Sequence, residues 1–209
     1  MKESKTVVMR RLKKLAKANS VLTNKNVAKI FDSTAKSDLL SRKDLLDLVE
    51  VHPTTLSRYL SRLEAADLFL LNQTLPNRWE GYERYQRRNR FIKISPYGRR
   101  LSDVIGSPVS LKFTYVASDL KRILILNTIA ESEELAQYKD GISFNDVYLV
   151  ANDIAERYRT GTISTALLSY HLRILRKKEQ ITADPFYQLT SDGKSTVKKI
   201  VDIVSYQIR

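Results

Sequence analysis

Two stretches of this chain carry the same pattern of apolar and basic residues. SRYLSRLEAADLF (57–69) aligns without a gap on SYHLRILRKKEQI (169–181) at an offset of 112, and ISPYGRRL (94–101) aligns on LTSDGKST (189–196) at an offset of 95. A repeated pattern of this length means one supersecondary unit folded twice. The difference of the offsets leaves the first copy with 17 extra residues between its two blocks. Upstream, Ser41 and Ser143 each stand three residues before an Asp, Asp44 and Asp146. That spacing lets a hydroxyl cap a helix while the carboxylate returns a bond to the cap backbone. Each copy reads helix, capped helix, helix, hairpin, helix. The expected class is mainly α with small β-hairpins, an α+β fold.

Spacing sets the helix faces. Leu56, Tyr59, Leu60 and Leu63 fall at i, i+3, i+4 and i+7, as do Leu168, His171, Leu172 and Leu175, so each set is one core stripe. His171 is expected to be a packed, hydrogen-bonded core histidine. Phe144, Val147, Tyr148, Ala151, Ile154 and Tyr158 form a further stripe, and Val197, Ile200, Val201, Val204 and Ile208 another. Gly106-Ser107-Pro108 breaks the chain. Beyond it, Val109, Leu111, Phe113 and Tyr115 alternate with Ser110, Lys112 and Thr114, the period of a strand, and a helix is predicted from about Ser118. The expected organisation is a basic, helical segment over 1–23, one domain over 24–106 and a second over 107–209.

Charge separates the halves. The chain holds 36 Lys and Arg against 23 Asp and Glu, a formal +13, yet residues 1–104 carry 22 against 11 and residues 105–209 carry 14 against 12. A charge needed only for solubility has no reason to collect on one half, so a polyanionic partner is expected for the first. The absence of cysteine excludes disulfides, thiolate metal sites and a thiol nucleophile. No phosphate loop or GxGxxG turn occurs, so no cofactor and no enzymatic activity are expected. No run approaches the roughly 20 apolar residues that cross a bilayer, and the basic start lacks a signal peptide's apolar core. A cytoplasmic, nucleoid-associated protein is expected.

TTLSRYLSRLEAADLF, the following hairpin and ISPYGRRL resemble the recognition helix, wing and closing helix of winged helix-turn-helix regulators, the broad set of ArsR-like, MarR-like and PadR-like repressors. SYHLRILRKKEQI with YQLTSDGKS resembles the ArsR-like sequences most. The resemblance covers roughly residues 24–105 and 118–205, and implies two tandem winged helix-turn-helix domains. Tyr59 replaces the His usual in that pattern, and without Cys or His clusters no metal sensing carries over. The tandem arrangement is also similar to plasmid replication initiators and chromosome-segregation subunits built of paired winged helices.

The polar side of the 54–62 helix carries Thr54, Thr55, Ser57, Arg58, Ser61 and Arg62, donors suited to phosphates and base edges, with Arg58 the best candidate for bidentate guanine contact. The 17-residue excess lies in a hairpin that sets Arg78, Arg84, Arg87, Arg88, Arg90 and Lys93 among Trp79, Tyr82, Tyr85 and Phe91. Such a wing suits the backbone or a narrow minor groove, and its aromatics also suit unpaired bases. Secondary phosphate contacts are expected from Arg10, Arg11, Lys13 and Lys14, and from Arg173, Arg176 and Lys177. The second copy has Ala166, Leu167 and Tyr170 where the first has Thr54, Thr55 and Arg58, so an interface is expected there. Ile200, Val204 and Ile208 are expected to build a dimer. The expected function is a homodimeric, sequence-specific regulator bound to double-stranded DNA through its first domain, with the second serving dimerisation or a protein partner. The alternatives are a replication initiator, an architectural nucleoid or segregation protein, or a pure protein-interaction module.

Overall fold

The computed structural model describes residues 5–37, 39–73, 91–106, 109–138 and 140–205. The structure is mainly helical, with small antiparallel sheets. Helix α1 (Lys5–Leu22) is followed by α2 (Lys25–Ser37), β1 (Leu39–Ser41), α3 (Arg42–Val49), α4 (Pro53–Ala65), β2 (Phe69–Gln73), β3 (Phe91–Ile94) and α5 (Pro96–Ile105). Then come α6 (Leu111–Val116), α7 (Leu120–Glu133), a 3₁₀ turn (Ala136–Tyr138), α8 (Phe144–Arg157), α9 (Thr165–Lys177), β4 (Ile181–Ala183), β5 (Tyr187–Leu189) and α10 (Ser191–Ser205). The chain forms two compact units, Ala18–Thr114 and Met1–Lys17 with Tyr115–Arg209. The first part of α1 thus belongs with the carboxy-terminal residues, where the Arg11 guanidinium donates to the Val204 carbonyl at 3.0 Å. No helix among the described residues is long and apolar enough to cross a membrane.

In the first unit the strands are ordered β1-β3-β2, with Leu40 opposite Ile92 and Phe69 opposite Ile94. In the second, Ile181 lies opposite Leu189, and Ile142 makes an isolated bridge to Tyr187 on the outer side of β5. These pairs are repeat equivalents, so the single bridge stands where the first unit has a full edge strand. The first core is built from Ile30, Phe31, Leu45, Leu56, Leu63 and Phe69, the Phe31 and Phe69 rings stacking at 6.2 Å. The second surrounds α7, whose Ile123, Ile125, Leu126 and Ile129 are fully buried. Both serine caps form: Ser41 Oγ accepts from Asp44 N at 3.2 Å and Ser143 Oγ from Asp146 N at 3.2 Å. An equivalence that the sequence alignment does not reach appears at the start of each unit. Asn24 Oδ1 caps α2 through Asn26 and Val27, and Asp119 Oδ1, 95 residues on, caps α7 through Lys121 and Arg122.

The strand expected at Val109–Tyr115 is a helix, α6. Across this stretch Val109, Phe113, Thr114, Val116 and Ala117 are buried, whereas Leu111 and Tyr115 remain 37% and 36% exposed. The alternation of residue types therefore does not describe the buried face. Ser110 Oγ, accepting from Phe113 N at 3.2 Å, supports the first turn instead.

Both units close by the same backbone latch. Leu68 N–H donates to Leu63 O at 2.9 Å and Gln180 N–H to Leu175 O at 2.9 Å. These are Schellman closures of α4 and α9 around the left-handed residues Asp67 (φ 59) and Glu179 (φ 55). The strand exits are then held by the next helix. Ser95 N–H donates to Leu68 O at 2.9 Å and Thr190 N–H to Gln180 O at 3.0 Å. The Ser95 and Thr190 hydroxyls each donate at 2.5 Å to Asp67 O and Glu179 O. The same hydroxyls accept from Gly98 N and Gly193 N. A Cβ on Gly98 would lie 2.3 Å from Leu68 O, and one on Gly193 2.0 Å from Gln180 O. Only glycine lets the helix approach that carbonyl. Gly98→Ala and Gly193→Ala are each expected to destabilise by about 1–3 kcal/mol, lowering the thermal midpoint by roughly 2–4 °C per kcal/mol. Calorimetry that finds either variant as stable as the parent refutes the latch.

Candidate nucleic-acid interface

Helix α4 starts at Pro53, a residue suited to a first helical turn. His52 precedes it and caps it, its Nδ1 accepting from Thr54 N at 3.4 Å and lying 2.8 Å from Thr54 Oγ1. Leu56, Leu60 and Leu63 face the core, and Tyr59 is half-buried beside them. The opposite side carries Thr54, Arg58, Ser61 and Arg62, all exposed, with Thr55 and Ser57 half-buried at its margins. Among the described residues Arg58 and Arg62 form no ion pair.

Two of the expected donors are engaged inside the protein. Ser57 Oγ donates to Pro53 O at 2.8 Å and accepts from the Arg42 guanidinium, and the Thr54 hydroxyl is shared with His52. Arg42 is a site residue that sequence reasoning missed. It opens α3 beside Lys43, and both are exposed. Cations in the first turn of a helix oppose its macrodipole, so their presence there was a readable signal of a demand other than helix stability. Lys93, on β3 between buried Ile92 and Ile94, points outward between Leu39 of β1 and Leu70 of β2. Arg78, Arg84, Arg87, Arg88 and Arg90, with Trp79, Tyr82 and Tyr85, lie outside the described residues, as does Ile208.

At the amino-terminal helix Arg10 and Lys13 are exposed, whereas Lys14 and Arg11 are half-buried, Arg11 being bonded to the Val204 carbonyl. That bond marks a correction. Ile200 and Val204, expected on a dimer surface, are 1% and 8% exposed. They line a groove with Val8 and Leu12 of α1, so the chain itself covers these two positions. Among the described residues of the stripe Val201, at 50%, stays open and Val197 is half-buried.

On α9, Ala166 is exposed, Leu167 is half-buried and Tyr170 is 45% exposed. Arg173, Arg176 and Lys177 are exposed towards the helix's end. The face is therefore mixed, apolar and aromatic at its start and cationic at its end. Beneath it His171 is buried, but its Nδ1 has no partner among the described residues and its Nε2 lies 3.9 Å from Asp119 Oδ1, beyond hydrogen-bond reach. The expected hydrogen bond to this histidine is absent among the described residues. Burial lowers its pKa below the ordinary 6.5; the Asp119 carboxylate opposes this, and Arg122 and Lys121 reinforce it. The folded protein thus holds a neutral imidazole that the unfolded chain protonates below about pH 6.5. Stability present above that pH is lost as the pH falls through it. Urea unfolding at pH 7.5 and 5.5 is expected to show a larger loss for the parent than for His171→Phe; equal losses refute the neutral, buried state.

Among the described residues no group of His, Asp and Glu has the arrangement of a metal site. Compared with protein-family models, curated proteins and solved structures, the chain matches none.

Proposed function

We propose that this chain is a double-stranded DNA-binding protein, a sequence-specific transcriptional regulator whose two units are tandem winged helix-turn-helix domains. In this reading α3 and α4 are the helix-turn-helix of the first unit, α4 enters the major groove, and the segment joining β2 to β3 is the wing. The observation that carries it is the outer side of α4. Arg58 and Arg62, one turn apart, stand exposed with Ser61 and without ion pairs among the described residues. Such a ridge presents guanidinium and hydroxyl donors to the outside, and a duplex supplies both phosphates and guanine edges to meet them. Arg58 is assigned to base contact. Arg42, Lys43, Lys93 and the arginines of residues 78–90 are assigned to phosphate. Ser57 is a positioning residue, held by Arg42. In the second unit Ala166, Leu167 and Tyr170 replace Thr54, Thr55 and Arg58, so the reading of sequence rests with the first.

The test is selection of a site from a random duplex library, then fluorescence anisotropy on that site at several salt concentrations. Contact with six or more phosphates predicts an affinity loss of about a thousandfold or more between 50 and 200 mM salt. Arg58→Ala is expected to cost about 1–3 kcal/mol and relax the preference at one base pair, whereas Lys93→Ala weakens all sequences alike and lowers the salt slope by about one. A flat salt response sinks the proposal. Selection that returns no preferred site makes the protein an architectural one instead.

A further inference from the structure

The carboxy-terminal half of α9 and Tyr115 frame a half-open cleft of about 570 Å³, lined by Tyr115, Tyr170, Arg173, Ile174, Lys177 and Lys178. Small-molecule sites occupy about 300–1,000 Å³. Three of the six lining side chains are cations and none is a carboxylate. Among the described residues Arg173, Lys177 and Lys178 form no ion pair. The rings are close to the cations. Arg173 Cζ lies 5.9 Å from the Tyr170 centroid, and Lys178 Nζ and Arg122 Cζ lie 5.0 and 4.8 Å from that of Tyr115.

The fold does not require this cluster. Through the repeat, Tyr170, Arg173, Ile174, Lys177 and Lys178 occupy the positions of Arg58, Ser61, Arg62, Ala65 and Ala66. Ala66 is a buried methyl at the end of α4, and Lys178 at the same cap is half-buried with its ammonium beside a tyrosine ring. Arg122 is more telling. It stands where the first unit has the fully buried Val27, the second residue donating to the helix cap in each. Burying a guanidinium in a valine's place is costly unless it is used. Here it donates to the Tyr115 carbonyl at 2.5 Å and pairs at 3.9 Å with the Asp119 carboxylate, while its Nε has no partner among the described residues. The side chain thus holds Tyr115 at the cleft wall. The helix dipole accounts for cations in the last turn of α9, but not for two tyrosines with them.

We propose that this cleft binds a nucleotide. The phosphate sits against Arg173, Lys177 and Lys178, with Arg173 able to hold two of its oxygens at once. The planar base stacks on the exposed ring of Tyr170, with Tyr115 and Ile174 lining the cleft beside it. A bare anion needs only the cations; the rings select a ligand that joins a phosphate to a flat heterocycle. The site lies on the unit without the DNA-reading ridge, and the inference does not rest on the DNA-binding reading.

Isothermal titration of the full chain with the four ribonucleoside 5′-monophosphates, their parent nucleosides and inorganic phosphate, at one ionic strength, tests it. At least one nucleotide is expected to bind about tenfold or more tightly than phosphate or its nucleoside. Tyr170→Ala is expected to weaken that nucleotide by about five- to a hundredfold, Tyr170→Phe to retain it, and Arg173→Ala with Lys177→Ala to abolish nucleotide and phosphate binding together. These positions are exposed, and circular dichroism checks that the variants fold. Equal affinity for phosphate and nucleotide, no binding at all, or nucleotide binding indifferent to Tyr170→Ala overturns the proposal. So does a duplex whose binding the double variant weakens while no nucleotide binds, because the cations then serve a DNA backbone.

Discussion

Everything that positions the surface of α4 depends on a contact between backbone and backbone. The carbonyl of Leu68 lies in the path of any side chain at Gly98, and the carbonyl of Gln180 does the same at Gly193. Because the following helix can approach, Ser95 and Thr190 reach the left-handed residue that ends the preceding helix. The end of one helix, the entry of the hairpin and the start of the next helix are thereby fixed at one point. Leu63 and Leu175, the residues that accept the closure bonds, are themselves fully buried. Hydrophobic burial and hydrogen bonding therefore hold the same turn. A helix anchored there can vary its outer face freely, because none of the anchoring atoms belongs to that face.

The two copies use that freedom differently. On α4 the outer side holds arginines and hydroxyls, with Arg42 reaching across from α3 to Ser57. On α9 the equivalent side begins with Ala166 and Leu167 and ends in cations beside tyrosines. The substitution of Val27 by Arg122 extends the divergence into the interior, where polar groups are tolerated only with partners or purpose. One scaffold thus carries two surfaces of different chemistry, which is what duplication followed by divergence of exposed residues produces.

Much of the architecture was readable because period and capping act locally. The stripes through Leu56, Leu60 and Leu63 and through Leu168, Leu172 and Leu175 are buried, and Ser41 and Ser143 cap the helices they precede. The segment around Phe113 misled because apolar residues at every second position also place some residues three and four apart. Burial then chose Val109, Phe113, Thr114, Val116 and Ala117. At the site, the exposed face of α4 followed from the same arithmetic as its core face. The roles of Arg42 and His52 did not, since each depends on where α3 or a loop residue sits against α4.

The apolar spacing of α10 is local, and it marked Ile200 and Val204 as needing cover. What covers them is not local. The amino-terminal helix, nearly two hundred residues away in sequence, brings Val8 and Leu12 beside them and ties Arg11 to the Val204 carbonyl. By itself the sequence determined the repeated unit, its helix faces and caps, and the uneven spread of charge, because these depend on residues within a few turns of one another. Only the tertiary structure decided which apolar stripe is covered by the chain's own residues, that Arg122 lies under Tyr115, and which hydroxyls on α4 are engaged inside the protein. Those outcomes depend on side chains that meet through space, and periodicity carries no information about distant partners.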